Sequence, residues 1–191
     1  MRCFIAIEID DEIRAELGNL QAELRKEADP GKGSVKWVEP KNIHLTLKFL
    51  GEVRDSEIVE ICNITKDVAD RHSRFQIELG GVGSFGGRSA RVVWVGATKG
   101  VELLEKIQQE LETKLEEKGW PRENKRFSAH LTLCRIKNVK AGFRMAELAE
   151  QYKDYEIGTV NVDSINVYQS QLTRQGPIYT VLGSCPLLTA D

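Results

Sequence analysis

The sequence predicts an α+β fold of two lobes related by a pseudo-twofold axis, with mainly antiparallel sheets, helices outside and a central active-site cleft. The tetrapeptide His-Leu-Thr-Leu occurs at residues 44–47 and again at residues 130–133, although the chain has only 3 histidines. The order of strands and helices around the first copy is repeated around the second. We therefore expect one bilobal domain over residues 1–191, with an approximate internal repeat of residues 1–88 and 89–191.

The first half is predicted to begin with a strand over residues 2–9 and a helix between Asp10 and Asp29. Asp10 suits the N-cap position, apolar residues recur at helical spacing as far as Leu24, and the sequence Asp-Pro-Gly from Asp29 ends the run. The remaining predictions for this half are strands over residues 35–38, 43–50 and 75–79 and a helix over about residues 55–69.

The second half repeats this order. A strand, a helix and the strand of the second tetrapeptide are predicted, followed by a short helix and two strands joined by a turn at Gly176 and Pro177. The respective bounds are residues 91–96, 101–118, 127–136, 143–152, 157–168 and 179–187. The opening strands, aligned at Ile5 and Val93, are 88 residues apart, close to the 86 between the tetrapeptides, which indicates an internal duplication.

Residues 81–86, Gly-Val-Gly-Ser-Phe-Gly, match the glycine pattern of dinucleotide-binding proteins. That pattern requires a helix to begin at the third glycine, so that its N-terminus can hold a pyrophosphate. The residues that follow alternate between apolar and polar, which is typical of a strand. We therefore interpret the segment as a flexible connection between strands, with a phosphate-binding role as the lesser alternative.

The composition is that of an ordinary globular protein, with 41% hydrophobic and 29% charged residues. The apolar run over residues 3–7 ends at Glu8 and is too short for a signal-peptide core or a membrane span. The 4 cysteines lack Cys-x-x-Cys spacing, which favours reduced thiols over a disulfide framework or a closed zinc site. We expect a cytoplasmic protein without membrane association. A net charge of −2 argues against a broad nucleic-acid surface and permits a local basic cleft.

Each tetrapeptide is predicted to place an imidazole and a hydroxyl on one strand face, His44 with Thr46 and His130 with Thr132. A single histidine on a half-buried strand is a weak signal, whereas two identical copies favour a shared function. Two imidazoles on opposite sides of a ligand suit displacement at phosphorus, because one deprotonates the attacking oxygen and the other protonates the leaving oxygen. The threonine hydroxyls can hydrogen-bond nonbridging phosphate oxygens, and no metal is required.

Three segments resemble the two-histidine phosphoesterase superfamily, and most closely its RNA 2′,3′-cyclic phosphodiesterases, historically called 2′-5′ RNA ligases. They are Trp-Val-Glu-Pro at residues 37–40, Ile-His-Leu-Thr-Leu-Lys-Phe-Leu-Gly at 43–51 and Phe-Ser-Ala-His-Leu-Thr-Leu-Cys-Arg at 127–135. The resemblance implies a bilobal fold with a water-filled cleft. It also implies hydrolysis of RNA 2′,3′-cyclic phosphate ends to 2′-phosphomonoesters without metal or cofactor, with reversible 2′-5′ joining of tRNA halves as a side activity. We expect a monomer.

The same resemblance implies roles for individual residues, although the residues alone do not determine which histidine is the acid. The implied roles are proton donor for His44, proton acceptor for His130, phosphate binding for Thr46, Thr132 and Arg135, and nucleobase contact for Phe49. Strict alternation along a strand turns Arg135 away from His130. A bulge or the end of the strand must turn it back, or Arg135 is a surface charge.

Two other functions remain open at this point. One is a noncatalytic RNA- or nucleotide-binding protein that keeps the cleft without turnover. The other is a phosphodiesterase for another small cyclic phosphate or a 2′-5′ oligonucleotide, since the loops that select the substrate are not readable from the sequence.

Several further residues have a structural and a functional interpretation. Trp37 and Tyr179 can stack a base, but packing in the core is the commoner role. His72 is expected at the surface. His130 and Cys134 share a face under strict alternation, but a structural zinc site needs about four ligands and the others are missing. Six basic residues near the two motifs are expected to be mostly solvated charges or to form a funnel for phosphates: Lys36, Lys41, Lys48, Arg122, Lys125 and Arg126.

Overall fold

The computed structural model describes residues 1–189, which contain nine strands and four helices. The strands are β1 (Arg2–Ile7), β2 (Val35–Trp37), β3 (Leu45–Glu52), β4 (Phe75–Phe85), β5 (Val92–Lys99), β6 (His130–Ile136), β7 (Glu156–Val162), β8 (Ser164–Thr173) and β9 (Gly176–Pro186). The helices are α1 (Asp11–Ala28), α2 (Ile58–Ala69), α3 (Val101–Glu117) and α4 (Val139–Gln151). Short 3-10 helices, Pro40–Asn42 and Asp55–Glu57, precede β3 and α2.

The strands form two antiparallel sheets, which confirms the predicted α+β class. One sheet has the order β3-β1-β8-β9 and the other the order β2-β6-β5-β4-β7. Each sheet contains one His-Leu-Thr-Leu strand, β3 or β6, and each combines strands from both halves of the sequence. Residues of β3 and β6 contact each other, so the two sheets meet along the strands that carry the tetrapeptides.

In helix α1, the apolar residues that recur at helical spacing pack into the core. The helix ends at Asp29, whose φ of 38° is left-handed. The buried Gln21 side chain donates from Nε2 to the carbonyl oxygens of Val38 and Leu133, at 2.7 and 2.9 Å. Because buried carbonyl groups need partners, this amide holds the turn after β2 against β6.

The glycine-rich segment is part of strand β4, so the prediction of a flexible connection was wrong. Gly81 has φ 71° at an irregularity in the pairing of β4 with β5, and the strand continues to Phe85. A Cβ atom at Gly83 would overlap the ring of Trp94 on the paired strand. The glycine is therefore required by the close approach of an indole.

Two other bounds differ from prediction for local reasons. The predicted strand over residues 157–168 is broken at Asp163, so that β7 joins one sheet and β8 the other. Helix α4 begins at Val139, because the Asn138 side chain caps it by accepting a hydrogen bond from the Ala141 amide at 2.8 Å. The His strands also begin later than predicted, at Leu45 and His130.

His72 is buried, at 7% exposure, so its expected surface position was wrong. Its Nε2 atom lies 3.1 Å from Glu110 Oε2. The backbone that follows β9 lies beside His72, where the Leu188 amide donates a hydrogen bond to the His72 carbonyl oxygen at 2.9 Å. Among residues 1–189, no helix combines the length and apolar character needed to cross a membrane.

Candidate active site

The two tetrapeptide histidines are held in the same way. His44 Nδ1 lies 2.9 Å from the Asn42 carbonyl oxygen, and His130 Nδ1 lies 2.6 Å from the Ser128 carbonyl oxygen. A carbonyl oxygen only accepts, so Nδ1 is the protonated nitrogen in each neutral ring. Nε2 is then the atom of each imidazole left to exchange a proton with a ligand.

A β-bulge follows the threonine of each tetrapeptide. In the pairing of β3 with β1 the extra residue is Leu47, and in the pairing of β6 with β5 it is the equivalent Leu133. Each strand therefore has two consecutive buried residues, Leu47 with Lys48 and Leu133 with Cys134. After the bulge, the alternation of faces is shifted by one residue.

This shift turns the fifth residue after each histidine back to the histidine face. Phe49 is 59% exposed and Arg135 is exposed, whereas the residue before each is buried. The bulge thus resolves the conflict between strand alternation and a shared face for Arg135 and His130. It also turns Cys134 into the core, where burial raises the pKa of its thiol to about 12. The expected common face of His130 and Cys134 was wrong.

Aromatic rings surround His44. Its ring stacks on Phe4 with centroids 4.5 Å apart, and Phe4 stacks on Tyr168 at 5.1 Å. Tyr179 meets His44 edge-on at 5.0 Å. The Tyr168 hydroxyl donates to Glu8 Oε2 at 2.9 Å, which fixes the far ring of the stack. The imidazole is therefore held by packing on its faces and by the backbone at Nδ1.

His130 has a comparable but different setting. Phe85 meets its ring edge-on at 5.1 Å, and Trp94 lies 6.2 Å away. The indole Nε1 of Trp94 is buried and has no hydrogen-bond partner among residues 1–189. Of the neighbours of the two histidines, Tyr179 of β9 was singled out from the sequence, whereas the rings that strand pairing brings in from β1, β4, β5 and β8 were not. A partial signal for Trp94 is present in the sequence, because burial alternates along β5 and Trp94 lies on the face opposite the buried residues.

The positive charge of Arg135 acts on one aromatic residue of the opposite sheet. Burial raises the pKa of the Tyr179 hydroxyl, and the positive charges of Arg135 and Arg2 oppose that rise. Tyr179 in turn touches His44. The charge of a β6 cation therefore acts on a ring that touches the imidazole of the first tetrapeptide.

Comparison with known proteins identifies the family. The family model described as LigT like Phosphoesterase matches residues 7–94 and, a second time, residues 95–179. The chain belongs to the LigT-like phosphoesterase family. A relative from Methanothermobacter thermautotrophicus named RNA 2′,3′-cyclic phosphodiesterase is 34% identical over 94% of this chain and 95% of its own length. One of the same name from Aeropyrum pernix is 42% identical over 78% and 84%.

Solved structures agree with this phosphoesterase over almost its whole length. A Thermus thermophilus protein, TT0787, superposes with a TM-score of 0.79 at 27% identity, covering 100% of both chains. Escherichia coli LigT in complex with 3′-AMP has a TM-score of 0.77 at 25% identity, covering 97% of each chain. The two-lobed LigT-like architecture is therefore the fold of this chain.

The electrostatic setting of His44 in this phosphoesterase favours the neutral ring. Burial lowers the pKa of His44 to about 4, and the positive charge of Arg14 acts in the same direction. The hydrogen bond to the Asn42 carbonyl oxygen and the negative charge of Glu8 oppose this shift. At neutral pH the unliganded protein therefore keeps His44 uncharged.

Two residues with alternative interpretations have structural roles. Lys48 is only 2% exposed, and its Nζ lies 2.8 Å from Glu112 Oε2 and 2.7 Å from the Pro121 carbonyl oxygen, so it is not part of a solvated funnel. Trp37 packs against the main core with the Arg25 guanidinium 5.1 Å from its ring centroid. Residues 1–189 contain no group of three or more His, Cys, Asp or Glu side chains arranged to hold a metal ion.

Proposed function

We propose that this phosphoesterase hydrolyses 2′,3′-cyclic phosphate ends of RNA to 2′-phosphomonoesters, without a metal or an organic cofactor. The observation that carries the proposal is the pair of identically held imidazoles, His44 and His130, on equivalent strands that contact each other. Relatives at 34% and 42% identity carry the name RNA 2′,3′-cyclic phosphodiesterase, which supports the same substrate class here.

In the proposed reaction, water attacks phosphorus and the bond from phosphorus to the 3′ oxygen breaks. His130 accepts the proton of the attacking water at Nε2. His44 donates a proton from Nε2 to the departing 3′ oxygen, so the product is a 2′-phosphate with a free 3′ hydroxyl. Thr46, Thr132 and Arg135 bind the nonbridging oxygens, where negative charge grows in the transition state. Phe49, exposed beside this face, contacts the terminal base.

The acid role of His44 requires a proton that the free protein does not hold at pH 7. Its pKa is about 4 in the unliganded protein. An anionic phosphodiester placed beside the ring favours the charged imidazolium and raises that pKa. We therefore expect proton uptake when inorganic phosphate or a nucleotide binds, measurable by calorimetry in buffers of different ionisation enthalpy. Binding without proton uptake at pH 7 contradicts this part of the proposal.

A substrate with sulfur in place of the 3′ bridging oxygen distinguishes the acid from the base. A thiolate leaves without protonation, so loss of the general acid costs little with this substrate. His44→Ala is expected to recover most of its activity on the thio substrate, whereas His130→Ala stays impaired. The opposite pattern would exchange the two roles. Comparable impairment of both variants on both substrates would reject a division into acid and base.

The function itself is tested with a short RNA that ends in a 2′,3′-cyclic phosphate, incubated in excess EDTA, with the product end identified. We expect a 2′-phosphate. Competition with ADP-ribose cyclic phosphate and with 2′-5′ oligoadenylate tests the alternative substrates, and preference for either one overturns the RNA assignment. Tight binding of the RNA without turnover identifies the noncatalytic alternative instead.

We extend the proposal to a second reaction and to the oligomeric state, domain organisation and location of the enzyme. Joining of tRNA halves through a 2′-5′ bond breaks the same bond from phosphorus to the 3′ oxygen, with the 5′ hydroxyl of the second half as the nucleophile in place of water. It uses the same two proton transfers, and its reversal re-forms the cyclic phosphate and the free 5′ hydroxyl. We expect a monomer with a single bilobal domain that acts in the cytoplasm. All 4 cysteines are free in the structure, which supports a reducing compartment. Formation of a 2′-5′ junction from tRNA halves, and the mass of the protein in solution by light scattering, test these statements.

A further inference from the structure

A cavity of about 230 Å³ lies between α3 and the segment that leads to the second tetrapeptide. It is lined on one side by residues of α3 and on the other by residues 122–127. None of the six proposed site residues lines it. It is therefore a separate feature of the surface, and the side chains that form it determine what it can bind.

The base of this cavity is polar, and hydrogen bonds hold its side chains in place. Gln108 and Glu112 line it and are 8% and 5% exposed. Glu112 accepts hydrogen bonds from Gln108 Nε2, from Lys48 Nζ and from the Glu123 amide, at 3.2, 2.8 and 3.3 Å. The charge of Glu112 is thus compensated by Lys48, so it does not repel an anion that binds in the cavity.

The cavity is connected to both tetrapeptide strands. Glu123, in its wall, accepts a hydrogen bond at Oε1 from the backbone amide of Phe49 at 3.4 Å. Phe127, also in its wall, begins the short segment whose Ser128 carbonyl oxygen holds His130. The cavity wall therefore adjoins the backbone of Phe49 and the segment that holds His130.

Two cations and one ring in the wall are available to a ligand. The Arg126 side chain is 91% exposed, with only a 3.9 Å approach to Glu105, and Lys125 makes no ion pair within residues 1–189. Arg122 differs, because it is bound to Glu116 and Thr113 at 2.7 Å each. The adjacent Phe127 is half-buried. A pair of exposed cations beside an aromatic ring is the arrangement that binds single-stranded nucleic acid.

We infer that this cavity is the subsite for the nucleotide that precedes the terminal, cyclic nucleotide of an RNA. Lys125 and Arg126 bind the phosphodiester that links the two nucleotides, and Phe127 stacks the upstream base. The inference rests on the proposed RNA activity and sharpens it, because the enzyme then prefers an oligonucleotide to a mononucleotide.

The test compares a mononucleoside 2′,3′-cyclic phosphate with a 3′-5′ dinucleotide that ends in the same cyclic phosphate. For wild type we expect kcat/KM to be about tenfold higher on the dinucleotide, the effect of a gained charge-assisted contact. In the Lys125→Ala/Arg126→Ala variant this ratio falls toward one. The salt dependence of log kcat/KM on the dinucleotide also becomes shallower by about 0.7 for each lost phosphate contact.

Lys106→Ala is the matched control. Lys106 is an exposed cation of α3, the helix that lines one side of the proposed subsite. It lines a different groove, of about 440 Å³, that has no aromatic residue in its wall. We expect this variant to keep the wild-type ratio. A wild-type ratio near one, or a ratio that the double variant leaves unchanged, overturns the subsite.

If neither substrate is cleaved, the proposed function fails and the subsite is judged by binding alone. The probe is a fluorescent dinucleotide that ends in a 2′-phosphate, and its anisotropy is measured with wild type and both variants. Weaker binding only by the Lys125→Ala/Arg126→Ala variant supports the subsite. Equal binding by all three proteins overturns it.

Discussion

Phe49 and Arg135 occupy equivalent positions in the two sheets, each two residues after the bulged leucine of its His-Leu-Thr-Leu strand. The backbone frame is the same on both sides, but one side presents an aromatic ring and the other a guanidinium. We therefore expect a ligand with a planar base at one end and a phosphate at the other to bind in one orientation. On a nearly symmetric backbone frame, this asymmetry supports different proposed roles for His44 and His130.

Arg135→Ala is expected to lower kcat/KM on the cyclic phosphate by about 10- to 100-fold, because a charge-assisted hydrogen bond to phosphate contributes roughly 1.5–3 kcal/mol. Arg135→Lys recovers part of the loss, since it restores the charge without the bidentate geometry. Arg54→Ala is the control, because Arg54 is an exposed arginine outside β3 and β6 that pairs with Glu57. Activity of Arg135→Ala within twofold of wild type contradicts a phosphate role.

Phe49→Ala is expected to raise KM with little effect on the free energy of unfolding, because the ring is 59% exposed and contributes little to the core. Stacking on a base is worth roughly 1–3 kcal/mol, and Phe49→Leu retains only part of it. Val59→Ala, at an exposed position of α2, controls for the loss of surface apolar area. A destabilised Phe49→Ala protein with unchanged KM identifies a structural residue instead.

The parts of the structure that follow from local pattern were predictable. The faces of the His-Leu-Thr-Leu strands follow from alternation, and helix α1 follows from apolar spacing between Asp10 and Asp29. A bulge was one of the alternatives for turning Arg135 back to the His130 face. Its position at Leu133, and the equivalent bulge at Leu47, were not predictable, since a bulge depends on the paired strand. The same holds for Gly83, whose role is set by Trp94 on the next strand. These features orient Phe49 and Arg135, so the sequence could propose the residues of the candidate site but not the orientation of their side chains.

Lys48→Met is expected to destabilise the fold by roughly 3–5 kcal/mol, because it leaves Glu112 buried without its partner. The loss is measured by urea unfolding at pH 7. Lys48→Met/Glu112→Leu removes both charges and should recover most of the loss, as apolar replacements of buried ion pairs commonly do. A double variant whose destabilisation equals the sum of the single effects contradicts coupling between the two residues.

His44 makes stability depend on pH in a defined window. Its pKa is lowered from 6.5 to about 4 in the folded protein, so the unfolded chain binds a proton first as pH falls. The contribution of the neutral His44 ring to the free energy of unfolding is fully present above pH 6.5. It is lost as pH falls toward 4, because protonation then favours the unfolded chain. It amounts to roughly 3 kcal/mol at most, because the ring is partly exposed and solvent reduces the effect.

We therefore expect the difference in unfolding free energy between wild type and His44→Gln to change between pH 7 and pH 4.5, with wild type losing the more. Glutamine does not titrate, and residues that titrate in both proteins cancel in the comparison. The measurement is urea unfolding at pH 7, 5.5 and 4.5. A difference that is constant over this range contradicts the lowered pKa of His44.

The most direct test of the account is kcat for wild type, His44→Ala, His130→Ala and the double variant on RNA that ends in a 2′,3′-cyclic phosphate. Circular dichroism confirms that each protein is folded. We predict that each single variant loses on the order of 10²–10⁴ in kcat and that the double variant is little worse than the more impaired single variant, because the two imidazoles act in one step. A folded single variant with near-wild-type kcat would contradict catalysis by paired histidines.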